Sequence, residues 1–145
     1  MATLKIETVR ELIYYSYANL AMAHTANEVN MHDFKLNKSD KKLVRELMEV
    51  GLQAELRDFK HKVKTWVNDK TNAQTDKEWF WELHNMLEKF SKHIQWRYDG
   101  YTGGDYPMKM LELQVNNLIP EKMLAQFSPD FQEWLRTAQK RMTEE

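Results

Sequence analysis

Between residues 75 and 99 the chain reads TDKEWFWELHNMLEKFSKHIQWRYD, with Phe80, Leu83, Leu87, Phe90 and Ile94 at steps of three, four, three and four. That is the period of an α-helix, and it places five large apolar side chains on one stripe, which predicts a buried face. Thr75 and Glu78 have capping-box spacing, so hydroxyl and carboxylate can each satisfy a backbone N–H at the helix start. Gly100 is the matching stop. At about 100° per residue, Trp81, Asn85, Glu88, Lys92 and Trp96 fall on the opposite face, so two tryptophans bracket a polar strip where a lone chain meets solvent. The strength of this period makes the 75–99 helix the predicted centre of the fold.

The remaining pattern is also helical. Residues 8–27 read as a first helix, opened by Thr8 and Glu11, with Leu12, Ile13, Ser16, Tyr17, Leu20, Ala21 and His24 on one face. Tyr14, Tyr15, Ala18, Met22 and Ala23 make much of the remainder apolar, so this helix either lies inside a bundle or meets another chain. Residues 25–38 form a polar connector tethered by Val29, Met31, Phe34 and Leu36. Ser39 is the expected cap of a second helix reaching residue 68, with Asp40 favouring the positive end of its dipole. Its two stripes, Leu43, Leu47, Val50, Ala54 and then Leu52, Leu56, Phe59, Val63, Trp66, are offset near Gly51 and predict a bend or break there. The short polar turn 69–74 makes helices 40–68 and 76–98 an antiparallel hairpin. Three of the four glycines lie in the loop 99–107. Pro107 then suits the first turn of a helix capped by Asp105, with Met108, Leu111, Val115 and Leu118 as its stripe. Pro120 ends or restarts it. Ser128 and Pro129 open a last helix, whose packing face is Phe131, Trp134, Leu135, Ala138 and Met142. The expected architecture is an all-α, single-domain bundle of about five helices spanning residues 1–145.

Composition narrows the chemistry. Length alone permits one domain with a real core, about 68–70% of the unfolded surface being buried at this size. Lys plus Arg is 21 against 22 for Asp plus Glu, and cysteine is absent. No global field therefore draws nucleic acid, and no thiolate or cysteine zinc site exists. No stretch approaches the roughly 20 apolar residues of a membrane span, and charges interrupt the N-terminal twelve. The expected setting is cytoplasmic. Lys60, Lys62 and Lys64 diverge around a helix and form no basic stripe. The glycines at 103 and 104 read as a turn rather than an anion-binding nest. There is no G-x-S-x-G elbow, no phosphate loop and no Glu-x-x-His pair, and Asp58 with His61 stands alone. His24, His32, His61, His84 and His93 read as surface or packing residues. No catalytic residue, metal ligand or cofactor site is nominated.

Within WELHNMLEKFSKHIQWRYD, the residues Trp81, Leu83, His84, Leu87, Ile94, Arg97, Tyr98 and Asp99 resemble the signature of the fluorescence recovery proteins, in which a W-x-L-H-D-x-L helix start leads to a basic residue and a Tyr-Asp pair. ELRDFKHKV at 55–63 resembles the helix before that motif, and IPEKMLAQFSPDFQEWL at 119–135 the closing segment. The resemblance covers about residues 53–140. It implies an all-helical dimer without enzymatic activity that binds the light-activated orange carotenoid protein and speeds its return to the resting form, with Trp81 and His84 as interaction residues. This chain departs from the family pattern at Asn85, which replaces an acidic residue, at Ser91, which stands where an arginine is expected, and at the loop 100–106, which replaces continuous helix.

Two readings of Trp81 and Trp96 remain open: a helix packed on both sides, or a partner surface of the kind that aromatic anchors mark. The second predicts a non-enzymatic interaction or regulatory protein, homodimeric, that uses Trp81, His84, Asn85, Glu88, Lys92 and Trp96 to bind itself and another protein, but neither nucleic acid nor membrane. The alternative is a ligand-binding helical domain, with an aromatic pocket among Tyr15, Trp66, Trp79 and Phe90.

Overall fold

The computed structural model describes residues 34–69 and 74–144. Among them are five α-helices and no strand: α1 (Lys38–Asn68), α2 (Asp76–Tyr98), a 3₁₀ turn (Gly103–Asp105), α3 (Tyr106–Val115), α4 (Glu121–Leu124) and α5 (Pro129–Thr143). The fold is an all-α helical bundle. The helix expected over 8–27 lies outside the described residues.

The helix starts follow local chemistry, with two corrections. Thr75 Oγ1 accepts from the Glu78 N–H while Glu78 Oε2 accepts from the Thr75 N–H, closing the predicted capping box of α2. Gly100 beyond its end has φ +70°, a conformation that suits a residue without Cβ. For α1 the cap is Asn37, not Ser39; its Oδ1 accepts from the Asp40 N–H at 2.7 Å. The Asp40 carboxylate is buried and accepts from Ser128 N–H at 3.0 Å and Ser128 Oγ at 2.5 Å. The first turns of α1 and α5 are thereby joined. Asp105 makes no side-chain cap for α3; its carboxylate accepts from the Thr102 N–H at 2.7 Å and from the Thr102 hydroxyl, closing the preceding turn.

α1 is continuous through Gly51, where the offset stripes predict a bend or break. What the glycine provides is close approach. A Cβ there would lie 3.1 Å from the Tyr98 hydroxyl and 3.2 Å from Leu113 Cδ1. The stripe offset marks a change of neighbours along one helix: Leu43, Val44 and Leu47 before Gly51 pack into the core with α3, and Glu55, Phe59 and Trp66 after it meet α2.

The centre of the fold is not α2. The buried apolar residues are Leu36, Leu43, Val44, Leu47 and Met48 from the start of the described chain, then Met110, Leu111, Leu113, Ile119, Phe127, Phe131, Leu135 and Ala138. α3 packs against both α1 and α5, and Phe131 meets Phe127 edge-on and stacks on Trp134. These elements form the body. From α2, the only fully buried side chain is Arg97. The second half of α1 and α2 form the predicted antiparallel hairpin, an arm on the body, held by Phe59 stacked on Phe90 at 3.9 Å and Trp66 on Trp79 at 5.3 Å. Phe80 and Leu87, members of the stripe expected to be buried, are 56% and 49% exposed. A two-helix arm has one contact line, too narrow to cover a stripe that wide.

Candidate functional site

Two features of the arm stand out. The first is the outer face of α2. Trp81 is 51% and Trp96 49% exposed, and His84, Asn85, Glu88 and Lys92 between them are exposed too. All six residues proposed from the sequence therefore share one accessible ribbon. Its charges are ordered along the helix, with His84 Nε2 3.7 Å from Glu88 Oε2 and Lys92 Nζ 3.0 Å from Glu88 Oε1. The hydrogen bond from Lys92, with its positive charge and that of His84, holds the Glu88 carboxyl below its usual range. Surface pairs of this kind contribute little stability; here they set the polar pattern between two indoles. Trp81 meets the His84 ring edge-on at 5.6 Å, and Phe80 lies against Trp81. Fifteen residues of helix separate the indoles, about 22 Å at 1.5 Å per residue. Lys109 Nζ of α3 sits 5.4 Å from the Trp96 ring centroid, a cation–π contact that steadies this end of the ribbon against the body.

The second feature is the junction of arm and body, which the sequence reading did not nominate. Arg97 Nε donates to Glu112 Oε1 at 2.8 Å and Arg97 Nη1 to Glu55 Oε1 at 2.5 Å; the same Glu55 oxygen is 2.7 Å from His93 Nε2. Lys109 Nζ approaches the other Glu112 oxygen at 3.5 Å. One guanidinium thus joins α1, α2 and α3, and two carboxylates are matched by two permanent cations and an imidazole. Burial opposes ionisation of Glu55 and is the largest single influence on it. The hydrogen bond with His93, the neighbouring Tyr98 phenol and the charge of Arg97 together outweigh it, leaving the Glu55 carboxyl below its usual range. Burial likewise opposes the Arg97 charge, but Glu55 and Glu112 raise its pKa. Burial, then the adjacent Glu55 carboxylate, push the Tyr98 phenol well above its usual value. All three shifts favour a fixed charge state near neutrality, which suits a structural clamp. The signal was present in the sequence: Arg97 follows Ile94 at the next step of the apolar stripe, and Glu112 interrupts the run Met110, Leu111, Leu113. A charge in an apolar register is a buried charge with partners.

Of the aromatics named for a pocket, Trp66 pairs with Trp79 and Phe90 with Phe59. Tyr15 lies outside the described residues. A shallow open groove of about 470 Å³ lies elsewhere, lined by residues such as Val50, Ala54, Arg57 and Leu118. Among the described residues no helix is long and apolar enough to cross a membrane.

Fold and surface together define an all-α protein that carries an aromatic ribbon on a helical hairpin. The chain matches no protein-family model, no curated protein sequence and no solved structure.

Proposed function

We propose that this chain is a non-enzymatic interaction module, homodimeric, whose contact surface is the outer face of α2: Trp81, His84, Asn85, Glu88, Lys92 and Trp96. The observation that supports it is where the exposed apolar surface lies. Leu56, Val67, Trp79, Phe80, Trp81, Leu87 and Trp96 are the large apolar side chains left accessible among the described residues, and every one belongs to the arm; Trp81 and Trp96 are the two on the outer face of α2. Clustered exposed apolar surface of this sort marks contact sites in soluble proteins, whereas single scattered residues do not. Tryptophans with a polar strip between them match the anchors and rim of an interface. The ordered His84, Glu88 and Lys92 charges supply orientation rather than affinity.

Sedimentation at micromolar concentration tests the reading, with Trp81→Ala and Trp96→Ala beside the unchanged chain. The expected result is a dimer whose dissociation constant rises at least tenfold in each variant, about 1.4 kcal/mol per decade. A monomeric unchanged chain removes the dimer. Unaltered association in both variants removes the ribbon as its surface.

A further inference from the structure

The arm has a second apolar surface, distinct from the ribbon. α2 faces α1 through Phe90, His93 and Arg97, and α1 faces α2 through Glu55, Phe59 and Trp66. At about 100° per residue, Phe80 and Leu87 lie roughly a quarter turn from the contact line of α2, in the sense in which the chain winds. Leu56, Val63 and Val67 are displaced from the contact line of α1 by roughly the same angle in the same sense. In antiparallel neighbours, equal displacements of that sign fall on one flank. Leu56, Val67, Phe80 and Leu87, all exposed, with half-buried Val63 and Leu83, therefore line one apolar seam along the arm. α3 lies on the other side, where Leu113 meets Gly51 and Lys109 meets Trp96.

The charge beside this seam has one sign. Arg57, Lys60 and Lys64 recur at steps of three and four, so they form a stripe along the outer edge of α1, next to the seam. All three are exposed, and none makes an ion pair or hydrogen bond among the described residues, whereas Lys92 and Lys109 are held by Glu88 and Glu112. No carboxylate shares this flank between Gln53 and Val67 of α1 or between Lys77 and Gln95 of α2. By the same angular reckoning Asp58, Glu78 and Glu82 turn to the side of α3, Glu55 is held in the junction, and Glu88 lies on the outer face.

We infer that the seam is the docking site for an amphipathic helix of another protein, one whose apolar stripe is bordered along one edge by Asp and Glu. A groove between two antiparallel helices seats a third, with apolar anchors at helical spacing. The rise from Leu56 to Val67 is about 16 Å, three turns of the incoming helix. Its acidic edge lies against Arg57, Lys60 and Lys64, while the α2 side of the seam offers the uncharged Ser91 and Gln95, so the charge fixes which way round the helix sits. A second copy pressed seam to seam supplies no carboxylate to that stripe, because this flank has none. A lipid surface fits less well, since the apolar side chains line a groove between two helices and not the single convex face that lies in a bilayer interface. The Trp81–Trp96 ribbon stays free, so the inference does not rest on the function proposed above.

The test uses the full chain and a library of helical peptides about 18 residues long, with a constant apolar stripe and either Glu or Lys at each position along its two edges. Selection is expected to enrich Glu along one edge, and binding of the enriched peptides to weaken as salt is raised. Lys60→Glu with Lys64→Glu should weaken them at least about tenfold and select Lys at that edge instead. Leu56→Ser with Leu87→Ser should abolish binding; these two are exposed, and Phe80 is spared because it lies against Trp81. Circular dichroism confirms that both double variants stay folded. No selection, no preference between Glu and Lys, or binding that survives the Leu56 and Leu87 changes overturns the inference. Self-association in sedimentation that those two changes abolish assigns the seam to a second copy, and binding to phosphatidylserine vesicles through the same residues assigns it to lipid; either result overturns it as well.

Discussion

Replacing Arg97 by Met is the most informative perturbation of this structure. The side chain is 2% exposed and holds Glu112 at 2.8 Å and Glu55 at 2.5 Å. Met keeps most of its volume but removes both charge-assisted hydrogen bonds, leaving Glu55 against His93 alone and Glu112 against Lys109 at 3.5 Å. Removing one partner of a buried pair costs about 3–5 kcal/mol, because the remaining charges stay buried without compensation. In a domain whose whole stability is about 5–15 kcal/mol, this should lower the urea midpoint by about 2 M at an m-value of about 2 kcal/mol/M. If uncompensated carboxylates are the cause, neutralising them must restore stability. The triple variant Arg97→Met, Glu55→Gln, Glu112→Gln is expected to regain at least half of the loss, a non-additivity that independent sites do not produce. Circular dichroism across a urea titration measures both variants. An Arg97→Met chain within about 1 kcal/mol of the original, or a triple variant less stable than the single, would refute the clamp.

Three further outcomes follow from the same geometry. Because the folded-state pKa of Glu55 is depressed, its contribution to stability is fully present above the unfolded value, near 4.5, and is lost as pH falls through the lower folded value. Glu55→Gln should be less stable than the original at pH 7, with a midpoint that varies less below pH 4.5; parallel curves in urea titrations at several pH values contradict this. Gly51→Ala gains about 1 kcal/mol of helix propensity but crowds Tyr98 and Leu113 at 3.1–3.3 Å. Overpacking of about 1–3 kcal/mol should prevail by about 1 kcal/mol, and Gly51→Leu should be worse; an Ala variant with a higher thermal midpoint would show that the neighbours give way freely. Asp40→Ala leaves the N–H and hydroxyl of Ser128 without their acceptor, a loss of about 1–3 kcal/mol, whereas Ser128→Ala should cost less because the backbone bond survives; the opposite order in thermal melts is the disproof.

The parts of this fold that were legible in the sequence are those set by local chemistry. Thr75 and Glu78 are three residues apart, and their capping box needs no other part of the chain. The hairpin was equally visible, since the α1 and α2 stripes require each other across a short turn. What periodicity could not rank was burial. The 76–98 stripe has the most large apolar residues, yet the core is built on Leu47, Met110 and Phe131, because those positions have neighbours on every side and the arm does not. Five of the ribbon's residues followed from the helix period and His84 from the family resemblance; at about 100° per residue all six share one face. Arg97 was named only as part of a motif. Its partners, 15 and 42 residues away, depend on how α3 returns to the hairpin, and no local pattern carries that information.

The clamp also sets a mechanical relation. α2 is seated in the body at Arg97, and its first residue lies twenty-one positions away, about 30 Å at 1.5 Å per residue. The helix is not a free lever, because Phe59 on Phe90 and Trp66 on Trp79 tie it along that length to α1, which runs unbroken into the core. The two helices therefore move as one piece, and any shift of Trp81 relative to the body is a shift of the whole arm beyond Gly51.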